Sequence, residues 1–302
     1  MFMMEIPFMN LKHIAESGQV FRWEKIIDDP MKHKWKYLLF ANDDCLLVSQ
    51  TRQMFSFKCS EDEFWQKWYD YFDLSYEYDK AFFHVDKDDK CLKIAANKSS
   101  GIRILNQNLW EVLLCQVISE GVSFERAQYL IDLICRTFGE KKKSSIEGSP
   151  RTWYTFPTSE HIKKKIDDLF DMERELQSEL VGNIITLCYD DADGAFSPEV
   201  LSEKFQEDPN FGIKNYLKSF DEISTRAANF IALCGYGQKD IIPAGKPMME
   251  LLRDEYNINS SRQFKELYEE IFDRYKGYRG LIGLYLNREA IKRKEETFYG
   301  FN

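Results

Sequence analysis

Gly101-Ile102-Arg103-Ile104-Leu105-Asn106-Gln107-Asn108-Leu109-Trp110-Glu111 is the stretch at which the apolar pattern of the chain changes its period. Downstream, Ile104, Leu105, Leu109, Val112, Leu113 and Val117 line one face of a helix. Phe124, Ala127, Ile131, Ile134 and Phe138 line another, stopped at Gly139. Upstream, residues 20–27, 35–40, 44–49 and 54–59 form short runs rich in aromatic and β-branched residues, with turn signals at Asp28-Asp29-Pro30 and Asn42-Asp43. They predict an antiparallel meander. Ser60-Glu61-Asp62-Glu63 is a capping box that opens an aromatic helix, FWQKWYDYF. Residues 140–157 read as a basic connection containing Ser, Gly and Pro. Further helices are expected over 158–170, 198–207, 224–234, 247–256, 261–274 and 279–294. The fold class is α+β: an N-terminal antiparallel β module over residues 1–101, then a helical body over 102–302 whose last helices pack back on the first module.

The 302 residues carry 50 Asp and Glu against 41 Lys and Arg, a formal charge of −9. Hydrophobic residues at 44 % and aromatics at 15 % exclude a disordered chain. No apolar run approaches the ~18 residues of a membrane span, so no membrane partner is expected. The first residues carry Glu5 and lack a basic segment before a cleavage site, so no signal peptide is read. Seven scattered cysteines (Cys45, Cys59, Cys91, Cys115, Cys135, Cys188 and Cys234) fit the reduced thiols of a cytoplasmic protein. The acidic balance argues against a surface that grips nucleic acid everywhere. The lysine triplets at 141–143 and 163–165 are candidates for phosphate contact, against the reading of charge runs as solvated faces. His13, His33, His84 and His161 have no metal-ligand spacing, and no P-loop, GxGxxG or GxSxG occurs. No metal or cofactor is expected.

Several stretches carry a resemblance. Ser17-Gly18-Gln19-Val20-Phe21-Arg22-Trp23 looks like the SGQxFRW segment of 8-oxoguanine DNA glycosylases. The 101–111 stretch resembles the start of their helical body, and Phe156-Pro157-Thr158 their FPT/FPS helix entry. Trp68-Tyr69-Asp70-Tyr71-Phe72-Asp73-Leu74 is similar to the WYDYFDL signature of bacterial members, and Tyr275-x-Gly277 extends the match toward the C-terminus. The resemblance implies a TATA-binding-protein-like β module ahead of a helix-hairpin-helix glycosylase body, and base-excision repair of oxidised purines. Such enzymes flip the damaged base from the duplex. A lysine amine then attacks the sugar, and the Schiff base formed undergoes β-elimination. An aspartate 19 residues later stabilises the charge that develops, and a glycine hairpin presents N–H groups to a phosphate.

Carried over position by position, the catalytic pair is missing. The hairpin falls at Phe220-Asp221-Glu222-Ile223-Ser224-Thr225-Arg226, so Arg226 stands where the lysine belongs, and 19 residues on Gly245 stands where the aspartate belongs. A guanidinium does not deprotonate in proteins, so Arg226 is no amine nucleophile. Its expected role is a salt bridge to Asp221 or Glu222. Gly245 has no carboxylate but remains a tolerable N-cap. Lys246 is the one amine read as a substitute, because a helix N-terminus disfavours its charged form; the plainer reading is a solvated first-turn lysine. The gap-filling segment reads Ser119-Glu120-Gly121-Val122-Ser123, and the two positions that hold the oxidised base read Gly280 and Leu284. Gly18 is retained, read either as a lesion contact or as a turn glycine before an inward-packed Phe21 and Trp23. Gly121, Arg126, Ile223, Ser224 and Thr225 are the DNA-facing positions. The sequence thus leads to a glycosylase fold without its chemistry, a pseudoenzyme with weak duplex binding or an unidentified protein partner. The alternatives are an active glycosylase/lyase with relocated residues and a scaffold that no longer binds DNA. With no cysteine after Cys234, no iron–sulfur cluster is expected.

Overall fold

The computed structural model describes residues 1–41, 43–146, 148–207 and 212–299. Its first third is a five-stranded antiparallel sheet of β1 (Phe2–Glu5), β2 (Trp23–Asp29), β3 (Lys34–Ala41), β4 (Asp44–Thr51) and β5 (Met54–Phe57), in the order β1-β5-β4-β3-β2. The meander expected from the sequence supplies four strands. The fifth, β1, is a four-residue edge strand pairing Phe2 with Phe57, too short for alternation to reveal it. Asn42, of the expected β3–β4 turn, lies outside the described residues. Val48, Phe55 and Phe57 are buried against Phe64, Trp68 and Phe72, so the sheet's core is largely aromatic. Those rings sit on the helical run 61–71, where Ser60 Oγ accepts from the Glu63 N–H at 3.1 Å as the capping box requires.

The helical body follows. Its principal elements are α1 (Lys90–Lys98), α2 (Leu109–Ile118), α3 (Phe124–Phe138), α4 (Ser178–Ala192), α5 (Ile213–Leu217), α6 (Thr225–Phe230), α7 (Lys246–Glu255), α8 (Ser261–Asp273) and α9 (Arg279–Tyr299). Residues 111–118 of α2 are all buried, which makes it the central helix. Asn108, Ser123 and Ser224 cap α2, α3 and α6 through their side-chain oxygens. Helix α9 packs on α7 and on α1, and its Arg288 donates to Glu16 Oε2 and the Lys98 carbonyl, both at 2.7 Å.

Three expectations need correction. Residues 140–157 are not a plain connection, for β6 (Lys141–Ile146) and β7 (Ser149–Tyr154) form a hairpin. Gly148, at φ +83°, makes the turn, and Trp153 packs on Phe40 with ring centres 5.7 Å apart. Strand β6 alternates between exposed and half-buried side chains that are polar but for Ile146, a period that hydrophobicity does not record. The single helix expected over 158–170 is broken into Ser159–Lys163 and Ile166–Asp171. Helix α4 was not expected at all, because Gly182 and the β-branched run Ile184-Ile185-Thr186 weaken its local signal. Tertiary burial of Val181, Ile184, Leu187 and Cys188 holds it.

The two halves are stitched rather than merely adjacent. Gln19, 2 % exposed, donates to Ser17 Oγ and the Arg103 carbonyl, both at 2.8 Å, and accepts from the Leu105 N–H at 2.9 Å. A buried amide satisfied in this way fixes the geometry around it. Beside it, Lys239 of the body pairs with Asp73 of the first module.

A candidate active-site cavity

A cavity of about 940 Å³ opens where α2, α3, α6, α7 and α9 meet the 17–21 segment. Gly18, Gly121, Thr225, Arg226, Gly245 and Lys246 all line it, so positions up to 228 residues apart are brought to one wall. Gly18 is at φ +83°, where side chains other than glycine's are strained, and a Cβ there would touch the Phe230 ring at 3.6 Å. Phe21 and Trp23 are buried, and Phe21 stacks on Phe124 at 5.5 Å.

Arg226 does not reach Asp221 or Glu222. Its Nε lies 3.2 Å from Glu120 Oε2, Nη1 donates to Gln116 Oε1 at 3.1 Å, and Nη2 donates to Ser119 Oγ at 2.8 Å and to the Gln116 carbonyl at 3.3 Å. The cation has found the C-terminus of α2, where unpaired carbonyls carry partial negative charge. Ser224 Oγ accepts from the Ala227 N–H and donates to the same Glu120 oxygen at 2.7 Å, closing the cluster. Asp221 is exposed, and Glu222 lies near Asp190, whose carboxyl is raised by burial and by that neighbour. Gln116 also donates to the Gly18 carbonyl at 3.3 Å, so one side chain links the two family positions.

Other expected positions fall outside. Gly280 and Leu284 do not line the cavity. Leu284 is wholly buried in the helical core, and a Cβ on Gly280 would stand 2.5 Å from Leu233 Cδ1 and 2.8 Å from the Lys239 carbonyl. Glycine at 280 lets α9 close on the 239–241 loop. Arg126 turns away to Glu175 at 2.9 Å and lies over Tyr129 at 4.9 Å. Ile223 is buried in the core, with its N–H given to the Phe220 carbonyl at 3.0 Å. Of the lysine triplets, Lys142 pairs with Glu140 and Lys163 with Glu160, both over exposed surface.

Sequence reasoning passed over several residues that line the cavity or stand behind its wall. Gln116 had a legible signal, being the one amide inside the apolar run of α2. Asn229 is 2 % exposed, and its Oδ1 has no hydrogen-bond partner. Asn287 Oδ1 would lie 3.6 Å from a Cβ built on Gly245. Lys214 lines the wall half-buried, its amine pushed down by burial and by neighbouring Lys218. Lys246 is exposed at its rim. No group of His, Cys, Asp and Glu among the described residues could hold a metal ion.

Comparison with known proteins places this geometry. Residues 3–113 match the family model described as 8-oxoguanine DNA glycosylase, N-terminal domain. The match covers the β module and the entry to the helical body, so over that first third the chain is similar to the 8-oxoguanine DNA glycosylases. A Saccharomyces cerevisiae N-glycosylase/DNA lyase is 22 % identical over 64 % of this chain, which spans about half (51 %) of that relative's length. Two solved structures share the fold over 97 % of the chain. One is MBOgg1 in complex with a low-affinity DNA ligand, at TM-score 0.80 and 22 % identity over 96 % of that chain. The other is the Clostridium acetobutylicum 8-oxoguanine glycosylase/lyase with duplex DNA containing cytosine opposite 8-oxoguanine, at TM-score 0.79 and 21 % identity over 99 % of that chain.

Proposed function

We propose that this chain no longer cleaves the glycosidic bond and acts as a pseudoenzyme that binds DNA weakly or a protein partner. One observation carries the reading: the cavity wall has Arg226 and Gly245 where the chemistry needs an amine and a carboxylate. A guanidinium held by Glu120, Gln116 and Ser119 is no amine nucleophile and is not free to attack. DNA in the solved complexes of related fold supports duplex as the ligand class.

A second reading keeps the chemistry and moves the amine. Lys214 favours it, being half-buried on the same wall with its charged form disfavoured by burial and by Lys218. Borohydride reduction in the presence of abasic-site duplex separates the two readings. The expected result is no covalent protein–DNA adduct. An adduct that disappears in Lys214→Ala or Lys246→Ala establishes the relocated amine instead.

A further inference from the structure

We propose that an extended, acidic segment of a partner protein docks in a groove between β2 and α3 and joins the sheet as its sixth strand. This rests on the protein-partner reading of the chain and not on the state of the catalytic pair. Strand β2 ends the sheet and pairs with β3 alone. The Phe40 N–H donates to the Arg22 carbonyl at 3.1 Å, so 22 and 40 face each other as a hydrogen-bonded pair. In an antiparallel ladder the next pair, Trp23 with Leu39, is then not hydrogen-bonded. The N–H and C=O of Trp23 therefore point away from β3, and no hydrogen bond among the described residues takes either. Two positions earlier the same edge is already completed from outside. There, Gln128 of α3 donates its side-chain amide to the Phe21 carbonyl at 3.0 Å.

A second cavity, of about 1000 Å³, lies along this edge, walled by residues 20–25, α3, β7 and α9. Phe21 and Phe124 belong to its wall and to that of the first cavity. Tyr37 and Phe40 both line it, although three positions along a strand put them on opposite faces of the sheet. The cavity thus wraps round the edge and offers a pocket on each face, which suits a strand whose side chains alternate. Trp23 and Tyr37, with ring centres 5.9 Å apart, wall one pocket, and Phe40 with Trp153 the other. Tyr37 is 3 % exposed, and its hydroxyl makes no hydrogen bond among the described residues. The lining carries six Lys and Arg against four Asp and Glu in a chain of charge −9, so acidic flanks complement it. The register shift after Lys25 ends the regular edge, which keeps the docked stretch short. Set between α3 and β7, the edge admits a lone strand and not the equally recessed edge of a second copy.

Fluorescence anisotropy of the full chain with the labelled hexapeptide DEFYED, whose adjacent aromatics address the two pockets, tests the docking. No DNA is present, so the result is independent of the borohydride trapping. Saturable one-to-one binding in the micromolar range is expected. Only alternate residues of an added strand turn their N–H toward β2. N-methylation at one of the two aromatic residues should therefore weaken binding at least tenfold, and at the other less than threefold. Lys25→Glu with Arg136→Glu, both side chains being more than half exposed, should weaken it several-fold without lowering the melting temperature. Exchange of the Trp23 amide should slow in the complex. No saturable binding at millimolar peptide, equal effects of the two methylations, or unchanged Trp23 exchange each overturns the proposal. Protection of Trp23 without peptide, rising with protein concentration alongside a dimer in sedimentation, assigns the edge to a second copy and overturns it too.

Discussion

Arg226 grips Gln116 twice, with Nη1 3.1 Å from the side-chain oxygen and Nη2 3.3 Å from the backbone carbonyl. Only a planar fork can satisfy both acceptors and still reach Ser119 and Glu120. Arginine at 226 is thus built into the local structure and is not a passive relic of a lost lysine.

Removing that fork should loosen the cavity rim. Arg226→Ala is expected to lower stability by about 0.5–1 kcal/mol, a modest loss because the guanidinium is partly exposed. Amide exchange should accelerate over residues 119–123 and remain unchanged in the sheet. Urea denaturation with exchange mass spectrometry measures both.

Restoring the two family residues should not restore activity. In Arg226→Lys with Gly245→Asp, the new amine stands beside Glu120, which favours its charged form, while Gly280 and Leu284 still provide no base contacts. No strand scission of 8-oxoguanine duplex above a no-enzyme control is expected. Scission on a gel at any reproducible rate would show that the pocket itself remained competent.

Duplex affinity should be weak and blind to the lesion. Asp221, exposed, and the nearby Glu222 put negative charge on the segment that the resemblance aligns with a phosphate-binding hairpin. At ~5 Å and an effective dielectric of ~20–80, each repulsion is roughly 1–3 kcal/mol before screening. A dissociation constant in the micromolar range or weaker is expected, equal for 8-oxoguanine and guanine duplexes. Fluorescence anisotropy decides, and a tenfold preference for the lesion contradicts it.

Gly280→Ala probes the helix packing and not the site. The added methyl meets Leu233 Cδ1 at 2.5 Å and two backbone carbonyls at 2.8–2.9 Å, so α9 must move away. A destabilisation of about 1–3 kcal/mol follows from overpacking. Duplex affinity should stay within twofold in protein that remains folded.

Acid should weaken the seam between the modules through His13. Its Nδ1 lies 2.7 Å from the Ser100 carbonyl, and burial, reinforced by Arg288, pushes its pKa down to about 4. The folded state binds a proton less readily than the unfolded chain, whose value is near 6.5. Stability is therefore complete above pH 6.5 and falls by at most about 3 kcal/mol as the pH drops toward 4. Equilibrium unfolding at stepped pH should show this slope in the native protein and a shallower one in His13→Gln.

The fold was legible wherever burial wrote a period into the sequence. The change at residue 101 and the capping box at Ser60 are local signals that tertiary structure did not override. Helix α4 and the β6–β7 hairpin were hidden because packing partners, and not their own patterns, stabilise them. In the site, Arg226 and Gly245 were found by position, but Arg226's partner was not. Glu120 lies 106 residues away in sequence, and the pull of α2's C-terminus is visible only once the helices are assembled.

The seam at Glu16 bears on how the chain is made. Arg288, its partner, follows 272 positions later and is synthesised long after it. Gln19 must likewise wait for the Leu105 amide, 86 positions on. The sheet can collapse on its aromatic face as it leaves the ribosome, yet its edge toward the body stays unsealed until α9 emerges. A ribosome stalled anywhere in α9 would therefore hold a nascent chain with that edge still open to proteases and chaperones.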